Sequence, residues 1–175
     1  TLRTPKLRFP EFSGEWEEEK FDSLYTKVRN GFVGTATPYY VDEGVPYLQG
    51  RNIKNGAINK KGLIYINNYF HQKNKKSQLQ LNDIVMVQSG HVGECALITE
   101  EFINSNCHAL LVLTPTNSVA SKFYVYYFYT EFGRKCIHKI TTGNTSKHIL
   151  SSDLKIQTVY NPSVPEQQKI ASFLT

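Results

Sequence analysis

Cysteines and long hydrophobic runs are scarce in this sequence. Its 175 residues include only three cysteines, and their irregular spacing excludes the cysteine framework of small disulfide-rich secreted domains. No run approaches the roughly 18 consecutive apolar residues of a membrane-spanning helix. Pro5, Pro10 and Glu11 interrupt the N-terminal region in which a signal peptide needs an apolar segment. These absences predict a cytoplasmic chain that has no contact with a membrane.

Catalytic motifs are missing as well. The sequence contains no Gly-x-Ser-x-Gly, His-Glu-x-x-His or Gly-x-x-x-x-Gly-Lys pattern, and no Gly-x-Gly-x-x-Gly after a strand. It also lacks the Asn-Pro-Pro-Tyr-like tetrapeptide of an adenine methyltransferase site, to which Asn161-Pro162-Ser163 is the nearest match. An enzyme of these classes is therefore not expected.

Cysteine and histidine leave one enzymatic alternative open. Cys107-His108 and Cys136-x-His138 could supply zinc ligands or a Cys/His nucleophile pair. Neither spacing is diagnostic, and two residues that lie two apart on a helix point to different faces. Free cysteines and incidental histidines are therefore favoured over a metal or nucleophile site.

Acidic residues are absent from two long windows of a chain whose net charge is +5. Residues 44–82 hold seven Lys or Arg, and residues 132–152 hold four, with no Asp or Glu in either window. The rest of the chain has 9 basic and 15 acidic residues, a balance of −6. Such segregation is typical of a protein that binds a phosphate backbone. Two solvated basic faces that bind nothing are the alternative.

Short strand-like runs fill the middle of the chain, and helical patterns flank them. The runs are rich in β-branched, aromatic and aliphatic residues, and they fall at Val45–Gln49, Ile58–Ile66, Ile84–Gln88, Glu94–Thr99, His108–Thr114 and Lys155–Tyr160. Helical spacing is predicted from Trp16 to Val28, from Ser118 to His138, and again from Ser163, where Ser163 to Glu166 matches a capping box. The pattern predicts an α+β domain with a twisted, mostly antiparallel sheet and a few helices. An extended arm over residues 1–14 precedes this domain at 15–162, and residues 163–175 begin a longer helix.

Aromatic residues crowd the second helical segment. Seven of them stand between Phe123 and Phe132. They could form a platform for stacking bases, but aromatics at helical spacing beside a set of strands usually pack the core. We therefore expect a core role for this segment.

Polar loops between these elements carry the candidate DNA contacts. Arg pairs with guanine, and Asn or Gln with adenine, through two hydrogen bonds each. The candidate base contacts are Gln49, Arg51, Asn52, Ser89, His91 and Asn144. The candidate phosphate contacts are the lysines Lys54, Lys60, Lys61, Lys73, Lys75, Lys76 and Lys147. Thr145 and Ser146 complete the third loop.

The order of several segments resembles a known family. The segments are Trp16 after Ser13-Gly14-Glu15, the "Pro-x-Leu … Asn-Ile-x-x-Gly" run of 46–56, the "Leu-x-x-Asp-Ile … Gly-x-x-Gly" segment of 81–93, the late polar loop and strand of 143–156, and Pro165-Glu166-Gln167-Gln168-Lys169-Ile170-Ala171. Together they resemble one target-recognition domain of the specificity subunit of a type I restriction–modification system, over roughly residues 10–175. No single segment is specific, and the resemblance depends on their order.

This resemblance implies that the chain recognises double-stranded DNA and catalyses nothing. A specificity subunit carries two such domains separated by paired long helices, and each domain reads one half of a split target. The helices dock modification subunits, which bind S-adenosylmethionine and methylate a flipped adenine. A restriction subunit, which is the motor and endonuclease and uses ATP and Mg, cleaves unmethylated DNA. This chain is expected to bind no cofactor itself.

The last helix is the expected docking element for these partner subunits. Its candidate partner-binding residues are Glu166, Gln167, Ile170, Phe173 and Leu174. Two departures from the family pattern qualify that expectation, because only one recognition domain is present and the sequence stops at Thr175, about three turns into the helix. A protein-interaction module without DNA affinity and the Cys/His enzyme remain the alternative functions.

Overall fold

The computed structural model describes residue 5 and residues 7–175, so residues 1–4 and 6 of the predicted arm lie outside the described residues. The strands are β1 Glu17–Lys20, β2 Tyr25–Asn30, β3 Tyr40–Val41, β4 Val45–Leu48, β5 Ile53–Lys54, β6 Ala57–Ile58, β7 Ile64–Ile66, β8 Ile84–Val87, β9 Cys95–Leu97, β10 Asn106–Cys107, β11 Leu110–Pro115 and β12 Thr158–Asn161. The α-helices are α1 Phe21–Leu24, α2 Asn68–Lys73, α3 Ser121–Tyr129, α4 Glu131–Ile140, α5 Ser151–Lys155 and α6 Val164–Phe173. This confirms the predicted α+β class. No helix of the described part is long and apolar enough to cross a membrane.

A central antiparallel sheet with the strand order β2-β11-β8-β9 organises the chain. Every side chain of Ile84–Val87 and of Leu110–Leu113 is buried, which is why both segments read as unbroken apolar runs in the sequence. Because side chains alternate along a strand, the two faces of this sheet support two different cores. The central sheet is thus the middle layer of the fold.

The two cores divide the remaining elements between them. On one face, Ile84, Met86 and Leu111 pack against α1, α3, α4, α5 and α6 in what we call the helix-side core. On the other face, Val85 and Val112 pack in the sheet-side core. That core also receives residues of β4 and β10 from a second sheet, the distal sheet, with the strand order β10-β4-β7-β3. One pair of the distal sheet, β10 with β4, is parallel and the others are antiparallel.

The predicted helix from Trp16 to Val28 is wrong. Glu17–Lys20 pairs with β12, Tyr25–Asn30 pairs with β11 across the central sheet, and only Phe21–Leu24 is helical. Helical spacing placed the right residues in the core, because Phe21, Leu24 and Val28 are all buried. Pairing along β11 outweighed that spacing, since aromatic and β-branched residues such as Tyr25 and Val28 also fit a sheet.

The predicted helix from Ser118 to His138 is two helices that meet at Thr130. The Thr130 hydroxyl accepts a hydrogen bond from the Gly133 backbone N–H at 3.2 Å and caps α4. A side chain at Gly133 would stand 2.2 Å from the Tyr127 carbonyl oxygen, so glycine permits the close turn. The aromatic segment mainly packs the core, as predicted, because Phe123, Tyr124 and Phe128 are buried.

Three smaller predictions also need correction. The Ile58–Ile66 run is divided by a turn at Gly62, where φ is +67°. The Lys155–Tyr160 strand begins only at Thr158, because α5 occupies Ser151–Lys155. The helix α6 begins after Ser163 as predicted, but the Ser163 side chain makes no capping hydrogen bond, and the Glu166 side chain bonds Arg8.

Candidate nucleic-acid interface

Three polar loops meet at one end of the central sheet. We call them the 49–52 loop, the 88–93 loop and the 141–148 loop by their residue ranges. The 88–93 loop follows the end of β8, and Gly50 of the 49–52 loop lies so near that a side chain there would stand 3.4 Å from Val87. The Gly90 N–H donates to the Lys147 carbonyl at 3.1 Å, and Ser89 forms an isolated antiparallel β-bridge with His148. The fold thus brings together loops that lie almost 100 residues apart in the sequence.

The 49–52 loop separates a structural asparagine from an exposed arginine. Asn52 is completely buried, and its side chain accepts from the Gln49 N–H and donates to the Asn59 carbonyl, both at 3.0 Å. The Gln49 amide is half-buried and donates to the Tyr40 hydroxyl at 3.1 Å. Arg51 is exposed beside them. Asn52 is therefore corrected from a candidate base contact to a residue that shapes the loop.

The other two loops present nearly all of their predicted residues to solvent. Ser89 and His91 are exposed in the 88–93 loop. The exposed residues of the 141–148 loop include Asn144, Thr145, Ser146 and Lys147. Gly143 adopts φ +93°, and a side chain there would stand 2.2 Å from the Ser146 carbonyl oxygen. That turn needs glycine, and it holds the loop's polar tip outward.

Glu94 and Tyr129 tie the loop cluster to the helical layer. Glu94 accepts hydrogen bonds from the Asn55 N–H at 2.7 Å and the Tyr129 hydroxyl at 2.9 Å. The Tyr129 hydroxyl also accepts from the Gly56 N–H at 2.8 Å. Burial opposes ionisation of Glu94, but these donors and Arg134 leave its pKa below the ordinary value. A partly buried, charged group of side chains therefore fixes the β5–β6 hairpin, and with it Lys54, against the 88–93 loop.

The lysines of the first basic window fall into separate places. Lys54 is exposed on β5 next to the loop cluster. Lys60 and Lys61 lie in the turn before β7, where Lys60 pairs with Glu101. Of the other three candidates of this window, Lys73 is exposed at the end of α2, and Lys75 and Lys76 are exposed in a single 3-10 turn.

The 3-10 turn of Lys75 and Lys76 lies at the opposite end of β8 from the loop cluster. The Lys76 carbonyl accepts from Arg29 at 3.0 Å, and Arg29 is also 3.2 Å from Asp83, which directly precedes β8. The four residues of β8 lie between Asp83 and Gln88, and these five steps along the strand span about 17 Å. The structure therefore does not group all the predicted phosphate contacts.

Arg134 and Lys135 face the loop cluster from α4 and were missed as site residues. With His138 they line a cleft of about 550 Å³ whose other wall includes His91 and Lys147. The second basic window contains both residues and could have indicated them. The sequence alone, however, does not show which helix face lies beside which loop.

The model of the type I restriction modification DNA specificity domain matches residues 13–175 of this sequence. The chain belongs to that family. No curated protein sequence matches it significantly.

Solved structures share the fold. The type I restriction-modification system S subunit from M. genitalium is 23% identical, with a TM-score of 0.67 over 98% of this chain and 41% of that one. The HsdS subunit from Thermoanaerobacter tengcongensis is 17% identical, with a TM-score of 0.64 over 98% of this chain and 38% of that one. A chain from a structure concerned with complex assembly and conformational transition of the type I R-M system is also 17% identical, with a TM-score of 0.67 over 97% and 39% of the two chains. The specificity domain spans about two fifths of each of these proteins.

The family is a non-catalytic one, and the residues that the structure describes include no site for the Cys/His alternative. Cys107 lies in the sheet-side core, whereas Cys136 packs against the helix-side core, so the central sheet separates the two Cys/His pairs. Burial raises the pKa of the Cys107 thiol to about 12 and lowers the pKa of His108. Within residues 5 and 7–175, no three His, Cys, Asp or Glu side chains are placed to share a metal ion.

The predicted partner-binding residues of the specificity domain lie on α6 or directly after it, and they fall into a buried group and a more exposed group. Gln167 is completely buried, and its side chain bonds the Ala120 N–H at 2.7 Å and the Pro162 carbonyl at 2.8 Å. Glu166 is 1% exposed and bonds Arg8 through two 2.7 Å contacts. These two residues hold the domain together, whereas Phe173 and Leu174 are 76% and 51% exposed and Ile170 is half-buried.

Proposed function

We propose that this specificity domain reads one half of a bipartite double-stranded DNA target for a type I restriction–modification complex. The meeting of three exposed polar loops at one end of the central sheet supports the proposal. Glycine turns and buried hydrogen bonds hold these loops before any ligand arrives, so binding need not order them first. Reading of base edges needs donors and acceptors at defined positions, and loops that are already held in place supply them.

Within this proposal, the contacts divide by chemistry. Arg51, Ser89, His91 and Asn144 are the exposed loop residues that we assign to base edges, because each offers donors or acceptors at the tip of the cluster. Gln49 donates to the Tyr40 hydroxyl, and this bond fixes the start of the loop that carries Arg51. Lys54 and Lys147, with Thr145 and Ser146 between the tips, are assigned to the phosphates, which position the domain without specifying sequence.

The partners follow from the same proposal. Modification subunits would supply S-adenosylmethionine chemistry, and a restriction subunit would use ATP and Mg to move along DNA and cleave it. The exposed apolar end of α6, with Phe173 and Leu174, is the surface of this domain that we assign to those subunits. The free, largely buried cysteines fit a cytoplasmic location, where thiols stay reduced.

A domain exchange tests the function directly. The specificity domain replaces one recognition domain of a complete, working type I complex, and methylated adenines are then mapped across a genome. We expect one half of the split target to change while the other half and the gap between the halves stay the same. Methylation that continues at the original target would show that the domain does not specify DNA, and would favour the interaction-module alternative. A folding check by circular dichroism accompanies any complete loss of methylation.

A further inference from the structure

The cleft between α4 and the loop cluster has two basic walls. Arg134, Lys135 and His138 of α4 form one wall, and Gly90, His91 and Lys147 of the loops form the other. Lys139 lies one turn beyond Lys135 and is also exposed. Since residues four apart on a helix share a face, Lys135 and Lys139 extend one basic row along α4.

Packing fixes the two walls relative to each other. Gly93 of the 88–93 loop lies against Ile137 of α4, and a side chain at Gly93 would stand 2.9 Å from the Ile137 Cγ2 atom. The Arg134 guanidinium lies 4.6 Å from the Tyr129 ring centre and 3.4 Å from the Glu94 carboxylate. A ligand that enters the loop cluster therefore meets α4 at a set distance.

Two carboxylates reach the cleft, and neither cancels its basic row. Glu94 is satisfied by the Asn55 N–H, the Tyr129 hydroxyl and Arg134, so its charge is already compensated within the fold. Glu131 pairs with Lys135 at 2.6 Å, and both side chains are about three-quarters exposed, at 75% and 73%. An exposed ion pair of this kind is weak, so a phosphate group can displace it.

We propose that the exposed row of α4, Lys135 with Lys139 and the neighbouring His138, binds the phosphate backbone of the DNA duplex whose bases face the three loops. This inference rests on the proposed function and extends it to a helix outside the loops. Arg134 contributes charge to the wall, while its contacts to Tyr129 and Glu94 keep α4 in place. Because phosphates are common to all sequences, the row contributes affinity and register but no base preference.

The salt dependence of binding distinguishes such contacts from structural ones. The Lys135→Gln/Lys139→Gln variant of the full chain is compared with wild type on the duplex identified by the domain exchange and on an unrelated duplex of equal length. Each lost phosphate contact should reduce the slope of log affinity against log salt by about 0.9. We expect the slope to fall by nearly two on both duplexes, with the ratio of their affinities unchanged.

A matched control uses lysines from the other end of the domain. Lys122 lies near Asn82 and Leu97 in a separate cleft, and Lys20 is exposed on β1. Lys20→Gln/Lys122→Gln makes the same change in net charge and should leave the slope as it is. In addition, Glu131→Gln should raise affinity on both duplexes, since it removes the carboxylate that competes for Lys135.

The possible failures are separable. If the wild-type chain binds neither duplex, the proposed function fails and this inference fails with it. If wild type binds DNA but the α4 variant keeps the wild-type slope, only the inference is overturned. An equal loss of slope in the Lys20/Lys122 control would overturn it too, because the effect would then be one of net charge alone.

Discussion

Adjacent side chains in the 49–52 loop carry different tasks, and single substitutions should separate them. Arg51→Ala removes an exposed side chain, so the free energy of unfolding should change by less than about 0.5 kcal/mol. DNA affinity should fall by about 1–3 kcal/mol, with preference relaxed at one base pair. Binding to a series of duplexes, each with a single base pair changed, measures both effects. An equal loss on every duplex would instead make Arg51 a phosphate contact.

Asn52→Ala is the counterpart on the folding side. It removes a buried side chain that satisfies the Gln49 N–H and the Asn59 carbonyl, so unfolding should become easier by about 1–3 kcal/mol. Urea unfolding of the two variants side by side gives the comparison. If Asn52→Ala were as stable as wild type and lost only base preference, Asn52 would be a base contact and not a structural residue.

The difference between these neighbours shows what the sequence can and cannot reveal about the site. Gln49, Arg51 and Asn52 are all polar and stand together at a strand end, so each is an equally good candidate for DNA contact. Asn52 is buried because its amide reaches Asn59, and Gln49 is half-buried because of Tyr40. Contacts with residues outside the loop decide both outcomes, and local composition does not record them.

At the scale of elements, a partly buried ion pair joins Arg8, in the predicted N-terminal arm, to α6. Arg8 contacts Glu166 at 2.7 Å, and Trp16 donates to the same carboxylate at 3.2 Å. Arg8→Ala would leave the buried carboxylate without its cation, so the thermal midpoint should fall and amides of α6 should exchange faster. Lys169→Ala is the control, because its pair with Glu11 spans 3.4 Å between half-exposed groups and should matter little. Similar midpoints for the two variants would contradict a clamping role for Arg8.

The same ion pair explains why one capping motif was misinterpreted, although the helix begins after Ser163 as predicted. Ser163 and Glu166 have the spacing of a capping box, but Arg8, 158 residues away in the sequence, holds the glutamate. The first predicted helix was wrong for a similar reason, since most of its residues pair as strands with β11 and β12. By contrast, the runs 84–88 and 108–114 gave good predictions of β8 and β11, because burial on both faces leaves an unbroken apolar signature. The local sequence pattern therefore predicts a strand or helix well where the surrounding core requires only that its side chains be apolar.

At the scale of the whole molecule, the loop cluster depends on both layers of the fold. The 49–52 loop continues from β4 of the distal sheet, while the 88–93 loop follows β8 of the central sheet. Since Val85 and Met86 are neighbours in one strand yet serve opposite cores, disruption of either core should propagate to the other. The layers should consequently unfold as one cooperative unit.

Two buried cysteines report on this cooperativity, one from each core. Cys95 lies in the helix-side core and Cys107 in the sheet-side core, and burial raises the pKa of each thiol. Thiolate is the reactive form, so at pH 8 each should react with a thiol reagent only when its core opens. In a Cys136→Ser variant, which removes the half-buried third thiol, digestion at Glu100 and Glu101 separates the two labelled sites for mass spectrometry.

The expected result is one shared rate of labelling that rises with denaturant identically for Cys95 and Cys107. A shared rate means that the sheet beneath the loops opens only when the whole domain unfolds, so the recognition surface persists as a unit. Faster labelling of Cys107 under native conditions would mean that the distal sheet opens by itself. In that case Arg51, carried by the loop after β4, would move relative to His91 and Asn144, and the preset arrangement invoked for base reading would have to form on DNA instead.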